Sequence, residues 1–370
     1  MGLSDIDKFR DPIWRIGSLY SIRTRDGKVI PFRPRPQQLK VLTMIFRHRF
    51  KRIIILKARQ IGFSTLLGVI CADQLCWNTG KQISLVDKTQ EDARQKLKNI
   101  TMLAYESLHP DLKTRFVVSR ANAGEFGVRF HEYEEAQAST LFAGTHARGG
   151  ANSFLWISEW GFVQCEDLRR SEEILTGAIP SAKDGIVIVE TSWRGGRGGH
   201  LWDIVKKALE TPEEQKQPDD WRVVFFPWQD DPAYCDAEAR PLTEETLRYF
   251  ADKPGFSLGQ MSWYQRAREQ YGLFIKREFP TALEECFQTP IEGAIYAEII
   301  DRLRACGAVR PAVVDTSSLV HTAWDLGSPI NTVAWYFQLV GAEIRVIDCD
   351  SDLDLTPVQR VARMLTKGYL

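Results

Sequence analysis

The chain has 370 residues, of which 44% are hydrophobic and 26% are charged, and these values are typical of globular proteins. At roughly 150 residues per domain, this length predicts two or three domains. The 48 basic and 48 acidic residues balance, which excludes a strongly basic protein, so a nucleic acid would have to be bound through a local patch.

The cysteines and the N-terminus indicate the compartment. Seven cysteines occur without a C-x-x-C pair, which argues against a disulfide framework or a zinc knuckle and favours free thiols. The N-terminus lacks the apolar segment of a signal peptide, and no stretch approaches the roughly 18 apolar residues of a membrane span. We therefore predict a soluble intracellular protein without membrane association.

Short apolar runs alternate with helical patterns in the first part of the chain. Most runs lack strict alternation of apolar and polar residues, as is typical of strands buried on both faces of a sheet. The runs are 52–56, 82–86, 127–131, 153–158, 185–192 and 221–228. Helical patterns such as 65–77 and 90–108 lie between them, so we predict an α/β fold with a mainly parallel sheet and helices on both faces.

The pattern changes after Trp228. Amphipathic helical patterns without a buried strand follow, and we predict an N-terminal domain at 1–228 and a helical linker subdomain at 229–315. Three strand-like runs begin near Val320. Because a domain is rarely as short as 316–370, we expect this segment to be the beginning of a further, truncated domain.

The segment KARQIGFST, residues 57–65, joins an apolar strand to a helix. This order is typical of a phosphate-binding loop, because backbone N–H groups and the helix N-terminus together bind an anion. Gly62 and Ser64 match the Walker A pattern G-x-x-x-x-G-K-[ST], but Phe63 stands at the position of the lysine. An ordinary strand-to-helix turn capped by Ser64 fits the isolated motif equally well.

A nucleotide site at this loop needs a cation near the phosphates and a hydroxyl ligand for Mg²⁺. Lys57 or Arg59 could provide the cation, and Ser64, with Thr65 beside it, is the expected Mg²⁺ ligand. The predicted nucleotide-binding loop comprises Lys57, Ala58, Arg59, Gln60, Ile61, Gly62, Phe63, Ser64 and Thr65.

Two later strands end in polar residues. The apolar strand of SFLWISEWG ends in Ser158 and Glu159, which is the layout of a Walker B segment, and Glu159 would activate the attacking water. Ser158 replaces the usual aspartate, so it could reach the metal only through a water. The strand of GIVIVETS ends in Thr191 and Ser192, which could sense the γ-phosphate. Ordinary strand ends are the alternative interpretation for both segments.

Taken together and in this order, these motifs resemble the large terminase subunit of tailed bacteriophages, a DNA-packaging ATPase and nuclease. The resemblance covers nearly the whole chain. Terminases commonly have deviant Walker A loops, some with the lysine at the first position, and often R-Q-x-G at the centre, as in residues 59–62 here. The resemblance implies a P-loop NTPase domain of the ASCE or RecA-like class, a helical linker and the start of an RNase H-like nuclease domain.

The resemblance also implies roles for single residues. The segment FRPRPQQLKVL is similar to the adenine-contacting Q motif, with Gln38 as the favoured contact and Gln37 as the second candidate. Arg148 would be an arginine finger that reaches the nucleotide of a neighbouring subunit, with a solvated loop arginine as the alternative. Thr191 and Ser192 match the motif that couples hydrolysis to movement.

For the last segment, the resemblance implies a nuclease whose first strand carries the metal-binding aspartate Asp325. Two-metal cleavage with Mg²⁺ or Mn²⁺ needs several convergent carboxylates. The remaining ones would lie beyond Leu370, so we expect this chain to be inactive as a nuclease. The acidic run at 348–354 is interpreted as a solvated turn.

The function implied is an ATP- and Mg²⁺-dependent motor that moves double-stranded viral DNA into a procapsid. Its partners would be the portal protein and the small terminase subunit. It would act as a homo-oligomeric ring on the portal vertex, be a monomer in isolation and lie in the host cytoplasm. The glycine- and arginine-rich loop 194–200 and the stretch 88–98 are candidate DNA contacts.

Two alternatives remain at this stage. A helicase-like P-loop ATPase would share the nucleotide motifs but would carry a second motor domain. A non-hydrolysing nucleic-acid-binding or scaffold protein with a decayed P-loop would explain Phe63 and Ser158, because both replace residues that the chemistry usually employs.

Overall fold

The structure is a computed structural model that describes residues 3–131, 137–147, 150–194, 196–288, 299–300, 302–303, 306–311, 313–325, 333–350 and 356–369. The chain forms two compact units, Met1–Ala294 and Ile295–Leu370.

The first unit contains ten described strands. They are β1 (Ser21–Arg23), β2 (Val29–Pro31), β3 (Arg52–Lys57), β4 (Gln82–Val86), β5 (Phe116–Ala121), β6 (Glu125–Phe130), β7 (Ser139–Gly144), β8 (Phe154–Ser158), β9 (Ile186–Thr191) and β10 (Trp221–Phe226). Strands β1 and β2 form a separate hairpin, and the other eight form one sheet.

The helices of the first unit lie before, between and after these strands. They are α1 (Leu3–Arg10), α2 (Pro12–Ser18), α3 (Pro36–Phe46), α4 (Phe63–Trp77), α5 (Gln90–Lys96), α6 (Leu103–Glu106), α7 (Pro110–Lys113), α8 (Trp160–Glu166), α9 (Leu168–Glu173), α10 (Ile179–Ser181), α11 (His200–Glu210), α12 (Glu244–Phe250), α13 (Leu258–Tyr271), α14 (Ile275–Glu278) and α15 (Leu283–Gln288). Two π-helical turns, Leu97–Met102 and Ile174–Ala178, join α5 to α6 and α9 to α10. No helix in the described part of the chain is long and apolar enough to span a membrane.

The large sheet has the strand order β10-β3-β9-β8-β4-β7-β6-β5. The six strands from β10 to β7 in this order run parallel to one another, whereas β6 is antiparallel to both of its neighbours, β7 and β5. Because β9 lies between β3 and β8, the carboxyl ends of these three strands are neighbours. In open α/β sheets ligands bind at the carboxyl ends of the strands.

Both faces of the sheet are covered. Ile53 and Ile55 of β3 belong to one buried cluster, which includes the apolar side chains of α4, while Ile54 and Leu56 belong to the other, which includes those of α8 and α11. Successive side chains of a strand point to opposite faces. A strand buried on both faces therefore reads as a continuous apolar run, and the predicted α/β fold with a mainly parallel sheet is confirmed.

The antiparallel edge of the sheet was not predicted as such. Of the three strands at this edge, β6 matches a predicted strand, whereas β5 and β7 match none. Four of the six residues of β5 are exposed, because an edge strand of an antiparallel pair faces solvent. Its sequence, FVVSRA, therefore lacks the apolar run by which the buried strands were identified.

The helices after β10 pack on the same core as the sheet. Trp228 is fully buried and stacks on Trp263 and Tyr264 of α13, with ring centroids 5.0 and 5.4 Å apart. The described residues of this segment thus form the predicted helices. The predicted domain boundaries stay predictions. The packing places α14 next to the loop after β3.

The second unit contains β11 (Val320–Asp325), β12 (Val333–Val340), β13 (Glu343–Asp350) and the helix α16 (Pro357–Thr366). The three strands form an antiparallel sheet in chain order. Asp325, the last residue of β11, is exposed and pairs with Val333.

Candidate functional site

The loop between β3 and α4 needs residues that tolerate a left-handed backbone. Gln60 has φ 60° and Gly62 has φ 85°. A Cβ atom at Gly62 would lie 3.1 Å from the amide nitrogen of Gln38, so both the backbone angle and the available space favour glycine there. The predicted phosphate loop therefore folds as a tight turn that leads directly into a helix.

The N-terminus of α4 is suited to bind an anion. This helix has 15 residues, and its N-cap is Gly62, which provides no side-chain cap. The first turn contains no acidic residue. Because the first N–H groups of a helix lack intrahelical partners and carry the positive end of the helix dipole, they can bind phosphate oxygens.

Lys57, at the end of β3, forms ion pairs with two glutamates. Its Nζ lies 3.2 Å from Oε1 of Glu159 and 3.1 Å from Oε2 of Glu190, and its side chain is only 7% exposed. Burial alone would lower the pKa of Lys57, but the charges of Glu159 and Glu190 outweigh burial and raise the pKa above its ordinary value. The lysine thus remains charged at the centre of the site.

Glu190 belongs to the site although the sequence motifs do not indicate it. Its side chain is completely buried, and its Oε1 accepts hydrogen bonds of 2.8 Å from the hydroxyls of both Ser64 and Ser158. The signal was present in the sequence, since Glu190 is the only charged residue in the strand IVIVET. A charge at the end of a strand buried on both faces is uncommon unless it is paired.

Glu159 lies beside Glu190 but in a more open position. Its backbone is left-handed, with φ 54° and ψ 41°, and its side chain is 23% exposed. Burial raises the pKa of Glu159, but the nearby charges of Lys57 and Lys96 outweigh it and lower the pKa below its ordinary value. Glu159 is thus held as a carboxylate that solvent can reach.

The predicted coupling residues contact Glu159. Ser192 donates hydrogen bonds to its Oε2 from the backbone N–H at 3.3 Å and from the hydroxyl at 3.2 Å, and Thr191 Oγ1 lies 3.4 Å from the same oxygen. The backbone N–H of Gly161 donates to Thr191 Oγ1 at 3.2 Å. A Cβ atom at Gly161 would come 2.9 Å from the Ser192 carbonyl oxygen, so glycine allows this close approach.

A second lysine approaches the site from α5. The Nζ of Lys96 donates a 2.5 Å hydrogen bond to Ser158 Oγ and forms a 2.6 Å ion pair with the buried Asp87. Burial raises the pKa of Asp87, and Lys96 partly offsets this effect. Lys96 belongs to the stretch considered above as a DNA contact, but it is directed to the end of β8.

Arg59, the other candidate cation, forms its ion pair with a glutamate other than Glu159 and Glu190. Its side chain is 49% exposed, and its Nη1 lies 3.3 Å from Oε2 of Glu278, which belongs to α14. Its backbone is held on both sides, since its N–H donates to the Glu278 carbonyl at 2.8 Å and its carbonyl accepts from the Tyr234 hydroxyl at 2.5 Å. Lys57 and Arg59 thus have different surroundings.

The residue at the usual lysine position belongs to the hydrophobic core. Phe63 is buried, and its ring stacks on that of Phe226 with centroids 4.5 Å apart. Ala58 and Ile61 are also buried, whereas Thr65 is half-buried in the first turn of α4. The backbone N–H of Ala58 donates to the Phe226 carbonyl at 2.9 Å, which ties the start of the loop to the end of β10.

The two glutamines of the predicted Q motif have different contacts. The amide of Gln38 is buried, and it donates to the Gly62 carbonyl at 2.8 Å and accepts from the Arg35 N–H at 2.9 Å. Gln37 donates to the Asp230 carbonyl at 2.5 Å. Gln37 lies in a small cleft beside the loop, lined by Arg35, Gln37, Ile61, Phe63, Asp230 and Asp231.

Arg148 and Asp325 are the remaining predicted residues. Arg148 lies outside the described residues. Asp325 belongs to the second unit, and among the described residues no group of three or more His, Cys, Asp or Glu side chains is arranged to hold a metal ion. At the loop, however, the Ser64 hydroxyl and the Glu190 carboxylate are oxygen ligands of the kind that Mg²⁺ takes beside nucleotide phosphates, so these residues fit a nucleotide-bound magnesium ion.

The fold is an α/β fold with a mainly parallel sheet, in which a glycine turn joins β3 to a long helix. Solved structures with a similar fold include large terminases of bacteriophages. The ATPase domain of the Thermus phage P74-26 large terminase has a TM-score of 0.45 at 14% identity, covering 67% of this chain and 93% of that chain.

Two further structures cover more of this chain. The HK97 bacteriophage large terminase has a TM-score of 0.49 at 14% identity and covers 88% of this chain and 64% of that chain. The large terminase of a thermophilic bacteriophage in complex with ADP has a TM-score of 0.41 at 13% identity, covering 90% of this chain and 73% of that chain. No protein-family model matches the sequence, and no curated protein matches it.

Proposed function

We propose that this chain binds ATP and Mg²⁺ at the loop after β3, hydrolyses ATP and uses the reaction to move double-stranded DNA. One observation carries the proposal: Lys57 is held between two glutamates at the carboxyl ends of adjacent strands, directly before a helix without a side-chain cap. A cation, carboxylates and free N–H groups at one sheet edge are what phosphoryl transfer needs.

The phosphates would bind to the backbone N–H groups of the loop and of the first turn of α4. Lys57 is the cation we assign to them, because it lies among the other polar groups of the site while Arg59 is paired with Glu278. Ser64 would be a ligand of the magnesium ion, and Ser158 would reach it through a water. When bound, the ion neutralises charge on the β- and γ-phosphates.

Glu159 would act on the attacking water. Its carboxylate accepts a proton from the water as the water oxygen forms a bond to the γ-phosphorus. The bond between this phosphorus and the bridging oxygen breaks, so the products are ADP, inorganic phosphate and one proton. The partly exposed position of Glu159 supports this role, because the carboxylate must be accessible to water, and its lowered pKa keeps the carboxylate ionised.

Thr191 and Ser192 would couple loss of the γ-phosphate to movement. Both lie against Oε2 of Glu159, so a change in the position of this carboxylate would be transmitted to the end of β9. The Q-motif contact with adenine is proposed for Gln37, which lines the cleft, with Gln38 holding the loop.

By the resemblance of the motifs, the protein would be the motor of a viral DNA-packaging complex. It would act as a ring on the portal in the host cytoplasm, with a small terminase subunit as a partner and Arg148 as the arginine finger between subunits. An endonuclease that uses Mg²⁺ or Mn²⁺ at Asp325 would belong to the second unit.

The test is phosphate release from ATP and Mg²⁺, with and without double-stranded DNA, for the wild type and for Glu159→Gln. We expect the variant to lose at least about 100-fold in rate, as is typical when a group that acts on the proton in the transition state is removed. Glu166→Gln, an exposed residue of α8, is the matched control and should retain the wild-type rate.

An unchanged rate in Glu159→Gln would refute the assigned role. Nucleotide binding without hydrolysis in the wild type would favour a non-hydrolysing DNA-binding protein instead. Strand separation on a forked DNA would favour a helicase.

A further inference from the structure

Strand β8 ends in Ser158, where a carboxylate is expected next to the nucleotide-bound metal. We propose that Glu190, at the end of the neighbouring strand β9, provides this carboxylate, so that Ser64 and Glu190 together hold the magnesium ion. This inference rests on the proposed ATPase function and assigns a residue to the metal that the sequence motifs did not indicate.

The contacts of Glu190 support this assignment. Its Oε1 lies 2.8 Å from Ser64 Oγ, the hydroxyl expected to bind the metal. The same oxygen lies 2.8 Å from Ser158 Oγ, so Glu190 occupies the space next to the residue that lacks a carboxylate. A hydroxyl and a carboxylate in contact form an oxygen pair that Mg²⁺ binds at nucleotide sites.

The strand order explains why this exchange is geometrically feasible. Strand β9 lies between β3 and β8, and Ser158 pairs with Glu190 in the register of the sheet. Neighbouring strands are about 4.8 Å apart. A glutamate is one methylene longer than an aspartate, so a carboxylate from β9 can reach a position that would otherwise be served from β8.

Glu159 is less suited to this role. Its side chain is partly exposed, and one of its oxygens is bound by Ser192 while the other faces Lys57. Glu190 is completely buried and accepts a hydrogen bond from Ser64, whereas no hydrogen bond between Glu159 and Ser64 is found among the described residues. The two glutamates thus separate into an accessible one for water and a buried one for the metal.

The charges at the site agree with this division. Lys57 contributes one positive charge, and Glu159 and Glu190 contribute two negative charges, which leaves a net charge of −1, while Lys96 is paired with Asp87. A lysine that needed only one counterion would be served by Glu159. Burial of a second carboxylate is costly unless the charge is compensated, and a divalent cation would provide that compensation.

The experiment measures binding of a fluorescent, non-hydrolysable ATP analogue to the full chain, with Mn²⁺ or with a chelator. Loss of the free Mn²⁺ signal in electron paramagnetic resonance gives a second readout that is independent of catalysis. We expect Mn²⁺ to tighten nucleotide binding by the wild type. Within Glu190→Gln, the gain in nucleotide affinity from Mn²⁺ relative to the chelator should fall on the order of tenfold or more below that of the wild type.

A double variant tests the exchange between strands directly. Ser158→Asp combined with Glu190→Ser returns the carboxylate to β8, and we expect it to recover a measurable part of the Mn²⁺-dependent gain. Ser158→Asp alone, which adds a carboxylate without removing Glu190, is the matched control for the added charge. If Glu190→Gln does not fold, Glu190→Asp keeps the charge beside Lys57 and should weaken Mn²⁺ binding in a folded protein.

The inference is overturned if a folded Glu190 variant keeps the full gain from Mn²⁺. It is also overturned if nucleotide affinity falls equally with Mn²⁺ and with the chelator, since that result would indicate a purely structural role. A wild type that binds no nucleotide would refute the proposed function itself. If the wild type hydrolyses ATP and Glu190→Gln keeps the full gain from Mn²⁺, only this inference would be refuted.

Discussion

Removal of the Lys57 side chain should have two separate effects, on stability and on nucleotide affinity. In Lys57→Ala, the carboxylates of Glu159 and Glu190 lose the ammonium that lies 3.2 and 3.1 Å away. Because one partner of a buried ion pair then remains uncompensated, the free energy of unfolding should fall by about 3–5 kcal/mol. Loss of a charged contact to phosphate should weaken ATP binding by about 1.5–3 kcal/mol, which is roughly 10-fold to 150-fold.

Arg59→Ala is the matched control, since it removes a cation two residues further along the same loop. Arg59 is half-exposed, and its partner Glu278 lies 3.0 Å from Arg277 as well. The change should therefore cost at most about 1 kcal/mol of stability. Urea unfolding monitored by tryptophan fluorescence gives the first quantity, and titration with a fluorescent ATP analogue gives the second.

Two outcomes would contradict this reasoning. If Lys57→Ala were as stable as Arg59→Ala, the buried ion pairs would contribute little to the free energy of unfolding. If Arg59→Ala weakened nucleotide binding more than Lys57→Ala, Arg59 would be the principal phosphate cation. Equal modest losses of affinity would indicate that the two residues share the role.

Further predictions concern the Q motif and the helical segment. Gln38→Ala should weaken ATP and GTP binding equally, because Gln38 holds the Gly62 carbonyl. Gln37→Ala should instead reduce the preference for ATP over GTP. Competitive titration of both nucleotides distinguishes the two effects. The hydrogen bond from Arg266 lowers the pKa of Asp236, so this residue stabilises the fold above its ordinary carboxyl pKa, about 3.9, and the stabilisation is lost as the pH falls through the lower folded value. The Tm of Asp236→Asn should therefore be below that of the wild type at pH 7, and the gap should begin to narrow as the pH falls below about 4. Asp252→Asn, whose side chain is 82% exposed, should show no such gap.

The fold was predictable where the local sequence reports burial on both faces. The runs RIIIL and FLWIS lie in strands whose residues are all buried, and their order along the chain with intervening helices indicated a parallel sheet. Strand β5 was not predictable in this way, because its exposed residues carry no apolar pattern.

The site was predictable only in part, for a physical reason. Glu159 follows an apolar strand, and Lys57 precedes a glycine turn, so each could be identified from its neighbours in sequence. The position of Glu190 beside Ser64 depends on the insertion of β9 between β3 and β8. The pairing of Arg59 with Glu278 joins residues 219 positions apart, and no local pattern reports such a contact.

The attachment of the phosphate loop to the later helical segment has a consequence for coupling. Glu278 and Tyr234 hold the backbone of Arg59 from both sides, and Phe226 holds that of Ala58. If phosphate binding shifts this backbone, the free energy of the shift must be shared with the segments that hold it, which include β10 and α14. By thermodynamic reciprocity, a partner whose binding displaces those segments would change nucleotide affinity by the same factor as the nucleotide changes the affinity for that partner. Nucleotide affinity at the loop would then depend on the position of those segments.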